Sequence, residues 1–255
     1  MYRILEEDLY NDTYGRYRMF EALKLRHEND DFYVPGERTI YRIMEVLGLT
    51  HRPKRNPNGI TKADKEARKS DDLIHRDFIA DKPLTKCVTD ISEIKGSDGK
   101  LYVSAIFDCF DAATVGLAMD TNMKATLCEQ TLDNAYMAYP DIRGAIIHSD
   151  RGTQYTSELY RKAIKKYGIK QSMNSAGGRC HDNARCESMW ARMKNELFYS
   201  RNIKSIDLTV EELKTMIWRY FIIYWNNRRI CSSNNGLPPM IKRQRYYEAL
   251  VDKAA

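Results

Sequence analysis

From Cys87 onward the apolar pattern shifts to a period of about two, and this change constrains the fold more than anything else in the chain. Residues 87–95, 101–107 and 114–119 are strand-length runs rich in β-branched and aromatic side chains, parted by turn signals such as Gly96-Ser97-Asp98-Gly99. A helix over 124–139, closed by Pro140, and a short buried strand over 144–147 follow. Next come a helix over 157–167 stopped by Gly168, a strand over 169–173, and a helix over 183–198 entered from the Gly177-Gly178 loop. Three successive strands and then alternating helices and strands predict an α/β fold, a mixed five-stranded sheet with flanking helices.

The flanks read differently. In the first fifty residues Tyr17, Phe20, Leu23 and Leu25 give one apolar stripe, and Ile40, Ile43, Met44 and Leu47 give another over 39–47. Two short helices around a turn fit a helix-turn-helix or a plain helical hairpin. Residues 51–82 open with His51-Arg52-Pro53-Lys54-Arg55-Asn56-Pro57, a basic linker, and 62–76 reads as a solvated helix. Helices are expected over 209–225 and 239–250. The resulting division is a helical module over 1–50, a linker over 51–82, a core over 83–200 and a helical region over 201–255.

The net charge of +6 is compatible with a polyanionic partner but does not establish one. The six cysteines form no Cys-x-x-Cys pair, so they read as reduced intracellular thiols rather than a zinc ribbon or redox motif. Cys180, His181 and Cys186 lie close in sequence but lack a second ligand pair for zinc. With no signal peptide or membrane-length apolar run, the chain is expected to be soluble and cytoplasmic.

Three carboxylates stand where core sequence would exclude them. Asp90 falls inside the first strand, where an acid is costly unless paired or metal-bound. Asp150 follows the 144–147 strand at its carboxyl end, where sheet proteins often place sites. Glu187 lies early on a helix, with Asn183 and Lys194 on its face. Magnesium prefers hard oxygen ligands, so a few carboxylates plus a substrate phosphate suffice to hold it. Taken singly, Asp150 could instead cap a turn with Gly152, Glu187 could be an ordinary surface acid, and His148 could be structural.

These residues also carry a resemblance. Thr89-Asp90-Ile91, the string His148-Ser149-Asp150-Arg151-Gly152-Thr153-Gln154-Tyr155-Thr156-Ser157, and Asp182-Asn183-Ala184-Arg185-Cys186-Glu187-Ser188 resemble the DDE motifs of bacterial insertion-sequence transposases of the second-reading-frame (OrfB) type. That group shares its catalytic core with retroviral integrases. Met173-Asn174-Ser175, Lys194 with Glu196, and Tyr224-Trp225-Asn226-Asn227-Arg228-Arg229 fit the same pattern. Tyr14-Gly15-Arg16-Tyr17-Arg18 and Ile40-Tyr41-Arg42-Ile43-Met44 resemble the small helical module that precedes the core.

The resemblance implies a ribonuclease-H-like fold and a DNA nucleotidyltransferase that cleaves and joins strands in transposition. Asp90, Asp150 and Glu187 would hold two Mg2+ ions, with Mn2+ as a substitute. Lys194 would contact DNA near the scissile phosphate, Asn183 would sit beside the metal site, and Asn183, Arg151, Arg52, Lys54 and Arg55 would add DNA contacts. The implied partners are transposon-end and target DNA, a first-frame helix-turn-helix protein, and further copies of the chain on DNA in the nucleoid. Met1 stands close to the Tyr14-Gly15 motif, so an upstream recognition domain is expected to be absent. Two alternatives stay open: a DNA-binding remnant without activity, and a ribonuclease-H-type nuclease.

Three departures from the family pattern are legible. The spacing from Asp150 to Glu187 is one residue longer than usual, an insertion assigned to the glycine loop over 175–179. Cys87 stands where a tryptophan is common. Asp111-Ala112-Ala113 replaces a more usual Ser-Arg pair, leaving a DNA or packing contact there unsupported.

Overall fold

A computed structural model describes residues 1–50, 70–75, 77–174 and 183–253. The described residues fall into two compact units, one drawn from Met1–Arg55, Lys194–Ile203 and Arg219–Ala255, the other from Asn56–Met193 and Lys204–Trp218.

The second unit is built on a five-stranded sheet of order β3-β2-β1-β4-β5. Its strands are β1 (Lys86–Lys95), β2 (Lys100–Asp108), β3 (Thr114–Asp120), β4 (Ile146–Ser149) and β5 (Lys170–Met173). β1 pairs antiparallel with β2 and parallel with β4, so the sheet changes sense at its central strand. β2–β3 is antiparallel and β4–β5 parallel, as the sequence pattern requires: turns join the first three strands and helices the last two. This is the ribonuclease-H-like arrangement that the resemblance implies.

Helix α4 (Ala125–Ala138) packs on β3 through Leu127, Cys128, Thr131, Leu132 and Ala135. The approach is close at Gly116, where a Cβ would lie 2.6 Å from the Thr131 carbonyl oxygen. The short α5 (Thr153–Thr156) and α6 (Glu158–Lys166) lead into β5, and Ser157 caps α6 by accepting from Tyr160 N–H. Helix α7 (Ala184–Lys194) and α8 (Val210–Trp218) complete the unit, apart from Lys194. The turn between β2 and β3 is held by buried acids: Asp108 accepts from Leu84 and Phe110 N–H, and Asp111 from Ala113 N–H at 2.8 Å. Asp111 is therefore a turn-forming side chain here, which allows Ala112 its positive φ of 64°.

In the first unit, helices α1 (Tyr2–Glu7), α2 (Arg16–His27) and α3 (Glu37–Val46) precede α9 (Pro239–Asp252). The stripe expected on α2 is not the one observed. Met19, Glu21 and Leu23 are buried, while Tyr17, Phe20 and Leu25 are only half-buried. On α3, Ile40 and Met44 are buried, but Ile43 and Leu47 are exposed. The helices expected over 183–198 and 209–225 both widen into π-helix, at Asn195–Tyr199 and Arg219–Trp225.

Both π segments serve a buried ion cluster. Glu196 accepts from Arg229 Nε at 2.9 Å and Nη2 at 2.6 Å, from Arg18 Nη1 at 3.0 Å, and from the Tyr220 hydroxyl at 2.9 Å. Burial pushes the Glu196 carboxyl up, but the two guanidiniums outweigh it and hold the group down at about 2.

Cys87, Cys109, Cys128, Cys186 and Cys231 are free and buried; Cys180 lies outside the described residues. Among the described residues no helix is long and apolar enough to cross a membrane. The linker arginines and lysine, Arg52, Lys54 and Arg55, also lie outside the described residues, as do most of the expected 62–76 helix and the 175–179 loop.

Candidate active site

The sheet brings two of the three carboxylates together. The β1–β4 register ends with Val88 opposite His148; two residues further along each segment stand Asp90 and Asp150, close enough for the Asp150 charge to act on the Asp90 carboxyl. Neighbouring strands lie about 4.8 Å apart, so the two carboxyls share one small region where β4 ends. Glu187 approaches from the first turn of α7 and is exposed, while Asp90 and Asp150 are half-buried.

The electrostatics follow from this placement. Burial pushes the Asp90 carboxyl up to about 7, reinforced by the charges of Asp150 and, more weakly, Glu187. The Ile91 N–H and the Trp190 indole act in the opposite sense, the indole Nε1–H donating to Asp90 Oδ2 at 3.1 Å. Burial also raises Asp150, against the Gly152 N–H that donates to its Oδ1 at 2.9 Å and the nearby His148. The Gly152 contact is the turn cap that the sequence allowed for, and it leaves the Asp150 carboxyl beside Asp90.

Asn183 lies just before α7 and is 5 % exposed. Its Nδ2 donates to the Thr89 carbonyl at 3.3 Å, and its Oδ1 has no partner among the described residues. Arg151 donates through Nε to the Asn174 carbonyl, which ties the residue after Asp150 to the end of β5. Lys194 is the half-buried last residue of α7. His148 is buried and bonded through both ring nitrogens, to Ser172 Oγ and Asn174 Oδ1 at 2.8 Å each, which ties β4 to β5 and the residue after it.

Among the described residues, no three His, Cys, Asp or Glu side chains are drawn closely enough together to hold a metal ion. The donor chemistry nonetheless fits a hard divalent cation. Two neighbouring carboxyls resist joint ionisation, a third lends its charge, and the buried Asn183 amide oxygen, without a partner among the described residues, stands next to the strand that carries Asp90. Added positive charge would relieve all of these.

Sequence reasoning did not single out Trp190. The signal was present, since Trp190 follows Glu187 by one helical turn and so shares its face.

Integrase core domain family models match residues 80–179 and 167–239. The chain is 31 % identical over 248 residues to the InsK protein of insertion sequence element IS150 of Escherichia coli K12, covering 94 % of this chain and 82 % of that one. It is 33 % identical to an uncharacterized transposase-like protein of Haemophilus influenzae, covering 88 % of this chain and 95 % of the relative. It is 28 % identical to the transposase InsF of insertion sequence IS3A of Escherichia coli K12, covering 89 % and 75 %. Among solved structures, the simian T-cell lymphotropic virus intasome with PP2A regulatory subunit B56 gamma aligns with a TM-score of 0.49 at 15 % identity, covering 83 % of this chain and 70 % of that one.

Proposed function

This chain belongs to the insertion-sequence transposases with an integrase core, and on that premise we propose that it cuts and joins DNA strands by metal-dependent phosphodiester transfer at Asp90, Asp150 and Glu187. The observation that carries this reading is the closeness of Asp90 and Asp150 just past the end of the β1–β4 register, where the Asp150 charge helps to raise the Asp90 carboxyl. A protein gains nothing in stability by setting two acids side by side in a half-buried position.

Asp90, Asp150 and Glu187 would hold the cation, Mg2+ by donor type, with Mn2+ as a substitute. When bound, such cations activate the attacking oxygen and stabilise the leaving one. The chain's own residues do the positioning. β1 and β4 fix the two aspartates, Gly152 N–H and Trp190 Nε1–H orient one carboxyl each, and the start of α7 presents Glu187. In the first step water attacks the phosphorus at the transposon end and the bond to the 3′ oxygen breaks, releasing a 3′ hydroxyl. That hydroxyl then attacks a target phosphodiester, so one P–O bond forms as another breaks and no covalent protein intermediate is needed.

The proposed partner is DNA, both transposon ends and target. Lys194 and the linker cations Arg52, Lys54 and Arg55 are assigned to its phosphates. Arg151 and Asn183 are assigned DNA contacts as well; one donor of each, Arg151 Nε on the Asn174 carbonyl and Asn183 Nδ2 on the Thr89 carbonyl, anchors the side chain, and the remaining N–H groups are left for DNA. Further copies of this chain and a first-frame protein would complete the assembly.

The test is cleavage of labelled transposon-end DNA in Mg2+ by the wild type and by Asp150→Asn. Cleavage by the wild type alone supports the assignment; equal activity in both overturns it.

A further inference from the structure

We propose that Asn183 and Trp190 are positioning residues that clasp strand β1 at Thr89 and Asp90, and so set the placement of Glu187 relative to Asp90 for a divalent cation. The inference rests on the reaction proposed above and assigns a role to two side chains outside the carboxylate set.

The geometry is that of a single helix face. Asn183, Glu187 and Trp190 stand at i, i+4 and i+7, one above another along the start and body of α7. The outer two reach consecutive residues of the same strand: Asn183 Nδ2 donates to the Thr89 carbonyl at 3.3 Å, and Trp190 Nε1 to Asp90 Oδ2 at 3.1 Å. Glu187 lies between these anchors. Two attachment points two turns apart fix both the rotation and the axial position of the helix on β1. One point alone would leave it free to pivot.

The residue types suit the task. An indole N–H donates one hydrogen bond and carries no charge, so it orients a carboxylate without neutralising it. An arginine or lysine there would satisfy the same oxygen and compete with a cation. Trp190 is itself held, buried and edge-to-face with Phe107 at 5.4 Å and 71° between ring planes. Asn183 spends only its donor on the clasp, since its Oδ1 is unpartnered among the described residues. Partners of this kind behind a metal ligand typically contribute about 10–100-fold to metal affinity or activity.

The experiment uses the full chain labelled with 15N at its three tryptophans, titrated with Mg2+ and followed by the indole N–H signals. Trp190→Phe keeps the ring against Phe107 and identifies the Trp190 signal by its loss. The Trp190 signal should move on Mg2+ addition in the wild type and stay still in Asp90→Asn. In parallel, the Mg2+ concentration giving half-maximal end cleavage should rise about 10–100-fold in Trp190→Phe. The maximal rate should recover at saturating Mg2+, which a general loss of fold would not allow. Asn183→Leu should shift the half-maximal concentration in the same direction.

An indole signal indifferent to Mg2+, or an unchanged Mg2+ requirement in Trp190→Phe, overturns the clasp. Absence of cleavage by the wild type overturns the reaction assignment instead, and the indole titration then decides the clasp by itself.

Discussion

Replacing Asp90 by asparagine should stabilise the metal-free protein while abolishing its activity. The Asp90 carboxyl is raised from an ordinary 3.8 to about 7 by burial and by Asp150. Below pH 4 the acid is protonated in both folded and unfolded chains and contributes no difference. Between pH 4 and 7 the unfolded chain has released this proton and the folded chain retains it, so stability falls as pH rises. Above pH 7 the loss is complete and, at about 1.4 kcal/mol per pH unit, amounts to about 4 kcal/mol.

Asparagine keeps the shape and an acceptor for Trp190, but its amide N–H2 needs partners, at a cost of about 1–3 kcal/mol. The expected net gain is therefore about 2 kcal/mol at pH 8, or a rise in Tm of about 4–8 °C. Thermal unfolding in EDTA at pH 8 and pH 4 measures it. A gain at pH 8 that turns into a loss at pH 4, where the amide cost remains and little stress is relieved, is expected. An unchanged or lower Tm at pH 8, or an equal gain at both pH values, would refute the claim that Asp90 is held under electrostatic stress.

Other outcomes follow from the same structure. Glu196→Gln should destabilise the first unit by about 3–5 kcal/mol, because it leaves the buried Arg229 without its counter-charge; equilibrium unfolding checks this. Because Glu196 is held down at about 2, its contribution should be fully present above pH 4.5 and fade as pH falls toward 2. Gly116→Ala should cost about 1–3 kcal/mol, since its Cβ would meet the Thr131 carbonyl oxygen at 2.6 Å and Ala135 Cβ at 2.9 Å, both on the helix packed against β3. If Lys194, Arg52, Lys54 and Arg55 each neutralise a phosphate, log affinity for DNA should fall against log salt with a slope of about −3 to −4; a flat dependence in a filter-binding titration contradicts those contacts.

The sheet was legible because its strands are short, turn-bounded and alternate with amphipathic helices, and β1, β2 and β3 begin and end within a residue of the expected positions. Asp90 and Asp150 were legible for a related reason, as acids set against apolar strand sequence. Burial on α2 was not. That helix packs against α1 and α3, and the Gly236 turn approaches so closely that a Cβ there would lie 2.5 Å from Glu21 Oε2. A helix covered on several sides carries no single stripe to read.

The π segments were equally hidden. Apolar spacing in Arg219–Trp225 is satisfied by an ordinary helix, and the buried Glu196 to which Tyr220 of that segment donates is distant in sequence. The Trp190–Asp90 bond likewise depends on where α7 lands on β1, a tertiary fact that one-dimensional spacing leaves open.

The central claim is that Asp90, Asp150 and Glu187 act as one metal-dependent unit. Its most direct test is strand transfer of a pre-cleaved transposon end into target DNA in Mg2+, comparing the wild type with Asp90→Asn, Asp150→Asn and Glu187→Gln. Each variant should lose at least about a hundredfold, and the double variant Asp90→Asn/Asp150→Asn should be no worse than either single one, as expected of residues acting together. Any one of the three retaining wild-type strand transfer would contradict the account.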